Sequence, residues 1–197
     1  MRDLLGLARS LWMYRRPGWQ RWNLASNDRI ELVEQAVGAA PGLGELQVSR
    51  ATPTVLSMNP RWTRDIGRRN PTFSGVRWDR RVEVPVTTLD RLIERHGQPR
   101  FCKIDVEGHE AEVLVGLNRP LPALSVEFVS GALDVAIACL DHFEWLGEYR
   151  FNAVAGEQRV FRWEEWCSAE EVRDWLACGA DGISSGDLYA RLVSGKN

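Results

Sequence analysis

The chain predicts an α/β fold with a mostly parallel sheet, flanking helices and an antiparallel terminal hairpin, and three stretches carry that expectation. At 101–117, FCKIDVEGHEAEVLVGL, an apolar run breaks at Asp105, an acidic turn with Glu107 and Gly108 follows, and Ala111, Leu114 and Val115 recur at helical spacing. At 82–97, Val82, Val84 and Val86 alternate as a strand, and Leu89, Leu92 and Ile93 then share a helix face that stops at Gly97. At 124–143 the apolar run LSVEF precedes Leu133, Ala136, Ile137, Leu140 and Phe143 at helical spacing. Strands alternating with helices build parallel sheets, because each parallel pair needs a long crossover between its members.

Composition suits one soluble domain over 1–197: 44% of residues are apolar and 26% charged. The net charge of -2 gives no electrostatic case for nucleic acid or a membrane surface. Cys102, Cys139, Cys167 and Cys178 show no C-x-x-C spacing. They read as buried thiols of a cytoplasmic protein rather than a zinc site. Nine tryptophans is a high count, and some should cap the core or line a pocket.

Leu4, Leu7, Ala8 and Leu11 predict an amphipathic helix over 1–18, ended by Pro17 and Gly18. A helix packed on the domain is the expected outcome, since nothing approaches the ~20 apolar residues of a membrane span. Residues 19–28 read as a loop and 30–37 as a short strand. Residues 38–44 read as a turn, and Leu46 and Val48 mark a second strand. The run AVGAAPGLGEL at 36–46 imitates a nucleotide-binding glycine loop, but Gln47 stands where the third glycine belongs and no helix begins there.

Residues 51–81, punctuated by Pro53, Pro60, Pro71 and Gly75, read as a long loop holding Met58, Asn59, Trp62 and Trp78. Such a loop is either a binding lid or a surface insertion. Pro85 points to an edge position for the 82–86 strand, and Thr87-x-x-Asp90 has the form of a capping box. His96 falls in the last turn of that helix, where a cation is favoured. Residues 149–153 and 158–161, joined across Gly156, read as the terminal hairpin. A second box, Ser168-x-x-Glu171, opens a helix using Val172, Trp175 and Leu176; with a short amphipathic turn at Leu188, Tyr189 and Leu192 it makes 162–197 a helical extension.

The chemistry concentrates after residue 104. In an open parallel sheet ligands sit at the carboxyl ends of the strands, which is where Asp105, Glu107 and His109 fall. Phe101, Lys103 and Asp105 share one strand face, and Cys102, Ile104 and Val106 the other. An ammonium on such a strand needs a carboxylate, so Lys103 should meet Asp105 or Glu127, which is also consistent with a purely structural ion pair. No phosphate-binding G-x-x-x-x-G-K-[ST] loop occurs in the chain. A divalent metal on Asp105, Glu107 and His109 is not expected, because three ligands on one tight turn rarely converge on a single ion.

The runs VPVTTLDRLIERHG at 84–97, FCKIDVEGHEAEVLVGL at 101–117 and LPALSVEF at 121–128 together resemble the FkbM-type S-adenosylmethionine-dependent methyltransferases, over about residues 30–161. The resemblance implies a Rossmann-like class I methyltransferase fold whose fourth strand ends at Asp105. It implies methyl transfer to an oxygen of a small molecule or glycan. Asp105 would orient the cofactor's amino group or the acceptor, His109 would be the general base, and Glu107 would shape the turn. Ala36 and Val37 would lie beside the adenine, and Met58, Trp62, Trp78 and Glu127 would face the acceptor.

The first strand of that family, its D-x-G-A-x-x-G turn and its second strand with a ribose-binding acid have no counterpart in this sequence, so a truncated fold is expected. Cofactor binding should then weaken toward millimolar, each lost ~1.4 kcal/mol being tenfold. The other expectation is a non-catalytic remnant that binds a partner or ligand through the 58–78 loop. Without its inner neighbour the 101–106 strand would pair either with 30–37 or with a second copy, giving a homodimer through the sheet edge.

Overall fold

The computed structural model describes residues 33–195. The helix expected over 1–18 and the start of the 30–37 strand lie outside them. Two four-stranded sheets make up the described chain. In the first, β1 (Ala36–Val37), β2 (Gly42–Val48), β3 (Leu56–Ser57) and β4 (Arg80–Thr87) stand in the order β1-β4-β2-β3. In the second, β5 (Cys102–Ile104), β6 (Ala123–Val129), β7 (Gly147–Ala155) and β8 (Ser185–Gly195) stand in the order β5-β6-β8-β7. Five helices accompany them: α1 (Pro60–Arg69), α2 (Leu89–His96), α3 (Glu110–Val115), α4 (Leu133–Leu146) and α5 (Ala169–Ala177).

The fold is α/β, but the sheets are mixed rather than mostly parallel. Among the described residues only β1 with β4 and β5 with β6 pair in parallel. Strand β8 inserts between β6 and β7, antiparallel to both, so β5, β6 and β7 run the same way. The terminal hairpin therefore differs from the expected one. Strand β7 pairs with β8 through Phe151↔Ala190 and Ala153↔Leu188, while Val160 and Phe161 of the expected partner are 72% and 38% exposed. Leu188 and Leu192 are four residues apart, a spacing common to a helix face and to one face of a strand, so local periodicity could not separate the two.

Within 51–81 the structure places a helix where a loop is expected. Asn59 caps α1, its side chain accepting from the backbone N–H groups of Arg61 and Trp62, and Pro60 occupies the first turn, where its missing donor costs nothing. The cap of α2 is Thr88 rather than Thr87. The Asp90 carboxylate serves Asn118 and Arg119 instead of a capping box. Pro85 sits in β4 between two neighbours, not at an edge; it is tolerated because β1 reaches only Val86 and Thr87. Gly42 and Gly44 belong to β2 rather than to a turn. The Ser168–Glu171 capping box forms as its spacing requires.

The large core lies on the second sheet, where Leu114, Leu124, Phe128, Leu140, Phe143, Phe151 and Leu188 are at most 1% exposed. The first sheet buries Ala36, Leu46, Val48, Val84 and Val86. A third cluster joins Trp62, Ile66, Phe73 and Val129. Of the cysteines, Cys102 and Cys139 are buried, but Cys167 is half-buried and Cys178 exposed, so the expectation of four buried thiols fails for these two. Strand β1 does not move over to β5. It pairs with β4 and continues the ladder through a bond from the Gly38 N–H to the Thr87 carbonyl (2.9 Å). Its end packs instead against the end of α3, where a Cβ on Gly116 would stand 2.4 Å from the Gly38 carbonyl oxygen.

Candidate active site

The strand–turn–helix unit that opens the chemistry folds as its alternation predicts: Cys102 and Ile104 point into the core while Lys103 and Asp105 face out. Beyond β5 the backbone turns sharply, with φ of +53° at Glu107 and +84° at Gly108. Left-handed backbone suits glycine but strains a glutamate. Gly108 is also needed for space, because a Cβ there would lie 2.2 Å from Cδ1 of Trp62.

Several groups hold this turn. Glu110 Oε1 accepts from the backbone N–H groups of Val106 (3.1 Å) and Gly108 (3.2 Å). Ser57 Oγ donates to the Glu107 carbonyl (2.7 Å), and Asn59 Nδ2 donates to the Gly108 carbonyl (2.6 Å).

The turn gathers acids. Carboxylate oxygens of Asp105, Glu107 and Glu127 all lie within 4.8 Å of one another. Glu127 arrives from β6, directly opposite Asp187 of β8. Burial, reinforced by the Asp105 and Glu110 charges, pushes the Glu107 carboxyl up to about 8. Burial and then the Glu107, Asp105, Glu110 and Asp187 charges push Glu127 up to about 9. Burial likewise raises Glu110 to about 7, against the pull of its backbone hydrogen bonds. At neutral pH the cluster therefore holds protons on Glu107 and Glu127. One oxygen of each of these two is buried without a hydrogen-bond partner among the described residues. The three carboxyls together can share protons, meet donors of a ligand or approach a cation; the set differs from the turn-only trio of the sequence, with Glu127 in the place of His109.

Lys103 pairs with Asp105, one of its two expected partners, but its hydrogen bonds go to a strand the sequence did not suggest. Its Nζ donates to Asp187 at 2.7 and 2.8 Å and lies 3.5 Å from Asp105, while Glu127 is not its partner. Burial works against the ammonium, but the Asp187 hydrogen bond and the Asp187 and Asp105 charges together outweigh it and hold its proton affinity above the usual range.

On the other side of the turn a cleft of about 240 Å³ opens between the two sheets. Ala36 and Val37 of β1, Met58, Asp105, Glu107 and His109 line it, together with Leu46 and Leu56. His109 is the N-cap residue of α3, and burial lowers its imidazole below the ordinary range, so the ring is neutral at pH 7. Of the residues expected to face an acceptor, Met58 is in the cleft wall and Glu127 in the acid cluster. Trp62 and Trp78 instead stack edge-on at 5.7 Å in the cluster beneath the turn. Trp62 also lines a second, polar groove of about 330 Å³ with Asn59, Arg61 and Arg69.

Sequence reasoning missed Ser57 and Asp187 and gave Asn59 and Glu110 no part in the site. An Asn-Pro pair ahead of a buried Trp-x-x-x-Ile spacing is the signal that would have found α1 and its cap. Nothing local marks Asp187.

Residues 20–181 match the family model described as the methyltransferase FkbM domain. No curated protein and no solved structure matches the chain. Among the described residues no helix is long and apolar enough to cross a membrane.

Proposed function

The chain belongs to the FkbM methyltransferase family, and on that premise we propose that it binds S-adenosylmethionine in the cleft between the sheets and methylates an oxygen of a small molecule or glycan. The convergence of Ala36 and Val37 with Asp105, Glu107 and His109 on one cleft supports this function most directly. The residues present fit two parts of that cofactor. Ala36, Val37, Leu46, Leu56 and Met58 form an apolar wall for a flat base, and Asp105 supplies a carboxylate for an ammonium. When bound, the cofactor supplies an electrophilic methyl group. His109, neutral at pH 7 and facing the cleft, is the general base that would take a proton from an acceptor hydroxyl. Glu107 would bound the space in which the acceptor oxygen is held.

A second reading, a non-catalytic binding module, is favoured by two observations. The chain has no D-x-G-A-x-x-G turn, and the cleft is smaller than the ~300–1,000 Å³ usual for small-molecule sites. We read the second sheet as the surviving half of a Rossmann-like sheet, since β5, β6 and β7 share one direction. Among the described residues no strand pairs with the outer edge of β5. A second copy pairing there would make a dimer, which light scattering tests. The buried free thiols of Cys102 and Cys139 suit a reducing, cytoplasmic setting.

Calorimetric titration with S-adenosylmethionine, joined to transfer of a labelled methyl group, separates the two functions. Saturable binding that S-adenosylhomocysteine displaces, expected toward the millimolar range, supports the enzyme. No binding at millimolar cofactor assigns the binding module. Where transfer is seen, Asp105→Ala is expected to abolish it with the fold intact, and His109→Ala to slow it ~10²-fold or more. Undiminished turnover in either variant overturns that residue's role.

A further inference from the structure

Residues 56–59 present two faces, as an extended segment must. Leu56 and Met58 line the cleft, while Ser57 and Asn59 reach the other way, to the acidic turn. Ser57 is 1% exposed, and its Oγ accepts from the Asn59 N–H (3.0 Å) while donating to the Glu107 carbonyl. Asn59 divides its amide between two tasks, with Oδ1 capping α1 at 3.1 Å and Nδ2 held 2.6 Å from the Gly108 carbonyl. These bonds fall on the two residues of the turn whose φ is positive. A backbone conformation that costs free energy, as at Glu107, persists only where its surroundings over-determine it, and here the carbonyls of both left-handed residues are caught from outside the turn.

We propose that Ser57 and Asn59 are positioning residues for methyl transfer: they lock the Glu107–Gly108 turn in its left-handed form, and so aim Glu107 at Asp105 and Glu127 and present His109 to the cleft. The locking itself stands on the hydrogen bonds, and only its purpose rests on the methyltransferase reading. The same segment forms part of the cleft wall through Leu56 and Met58, so the wall and the supports of the turn share one stretch of backbone.

Asn59→Asp tests this in the full chain, because aspartate caps a helix as well as asparagine does but cannot donate to the Gly108 carbonyl. Ser57→Ala removes the other bond with little change in volume. In each variant, about tenfold faster amide exchange at Gly108 is expected, the effect of one lost buried hydrogen bond. The Glu107 carboxyl, followed by carbon NMR, is expected to titrate nearer the ordinary glutamate range as water reaches the loosened turn. Where the parent chain transfers methyl groups, kcat is expected to fall with KM little changed. Exchange at Gly108 and titration of Glu107 that match the parent in both variants overturn the proposal. A parent chain that transfers no methyl group, with both NMR responses present, keeps the lock but removes its catalytic purpose together with the methyltransferase reading.

Discussion

The two sheets divide the work of the molecule unequally. The second sheet, β5-β6-β8-β7, carries a continuous aliphatic and aromatic core beneath α3, α4 and α5, with Phe143 and Phe151 fully buried. The first, β1-β4-β2-β3, buries five apolar residues, all alanine, valine or leucine. Burying a large apolar side chain contributes ~1.5–3 kcal/mol, so most of the stability must come from the second sheet. The raised carboxyls and the cleft lie where the two sheets meet, not within either core. Strain at Glu107 and protons on buried acids are affordable there because the larger core supplies the free energy they consume.

Core truncation should show the asymmetry most strongly. Phe143→Ala is expected to cost ~3–5 kcal/mol in urea unfolding, and Leu46→Ala in the smaller sheet ~2 kcal/mol, at the low end for such a change. Equal losses from the two would break the contrast between the sheets. Gly108→Ala is expected to cost ~1–3 kcal/mol from backbone strain alone, before the Trp62 ring is displaced. Its thermal unfolding should drop while the core of the second sheet keeps its protection from hydrogen exchange; loss of protection throughout would mean that seam and core unfold as one.

The acids give a pH dependence of definite sign. Glu107, Glu110 and Glu127 have folded values of about 8, 7 and 9 against an ordinary 4.5, so the native chain keeps protons that the unfolded chain has released. Their contribution to stability is therefore greatest below about pH 4.5 and falls as the pH rises to about 9. Glu127→Gln should flatten the upper part of that fall, and denaturation midpoints across pH would reveal an unchanged slope if Glu127 were ionised in the fold. The smallest effect is expected at Lys103. Although its bond to Asp187 is short, Lys103 is 44% exposed, and Lys103→Met should change stability by under ~1 kcal/mol, measured in the same urea series.

Legibility followed range. The alternation of Cys102 and Ile104 against Lys103 and Asp105 was readable because a strand sorts its side chains by a period of two, whatever it pairs with. The Ser168–Glu171 box was readable because both of its hydrogen bonds close within one helical turn. Helix α1 starts on a local signal, Asn59-Pro60, but Pro53, Pro60 and Pro71 read equally well as loop punctuation.

The amino-acid sequence by itself determined the strand–turn–helix at 101–115, the acids on that turn, the Ser168–Glu171 cap of α5 and the family to which the chain belongs. Only the tertiary structure decided that β8 lies between β6 and β7, that Lys103 pairs with Asp187, that Glu127 joins Asp105 and Glu107, and that Ser57 and Asn59 hold the turn. Periodicity, caps and turns are settled by hydrogen bonds and sterics within a few residues. Strand neighbours, burial and the proton affinity of a carboxyl depend instead on which distant segments the whole core brings together.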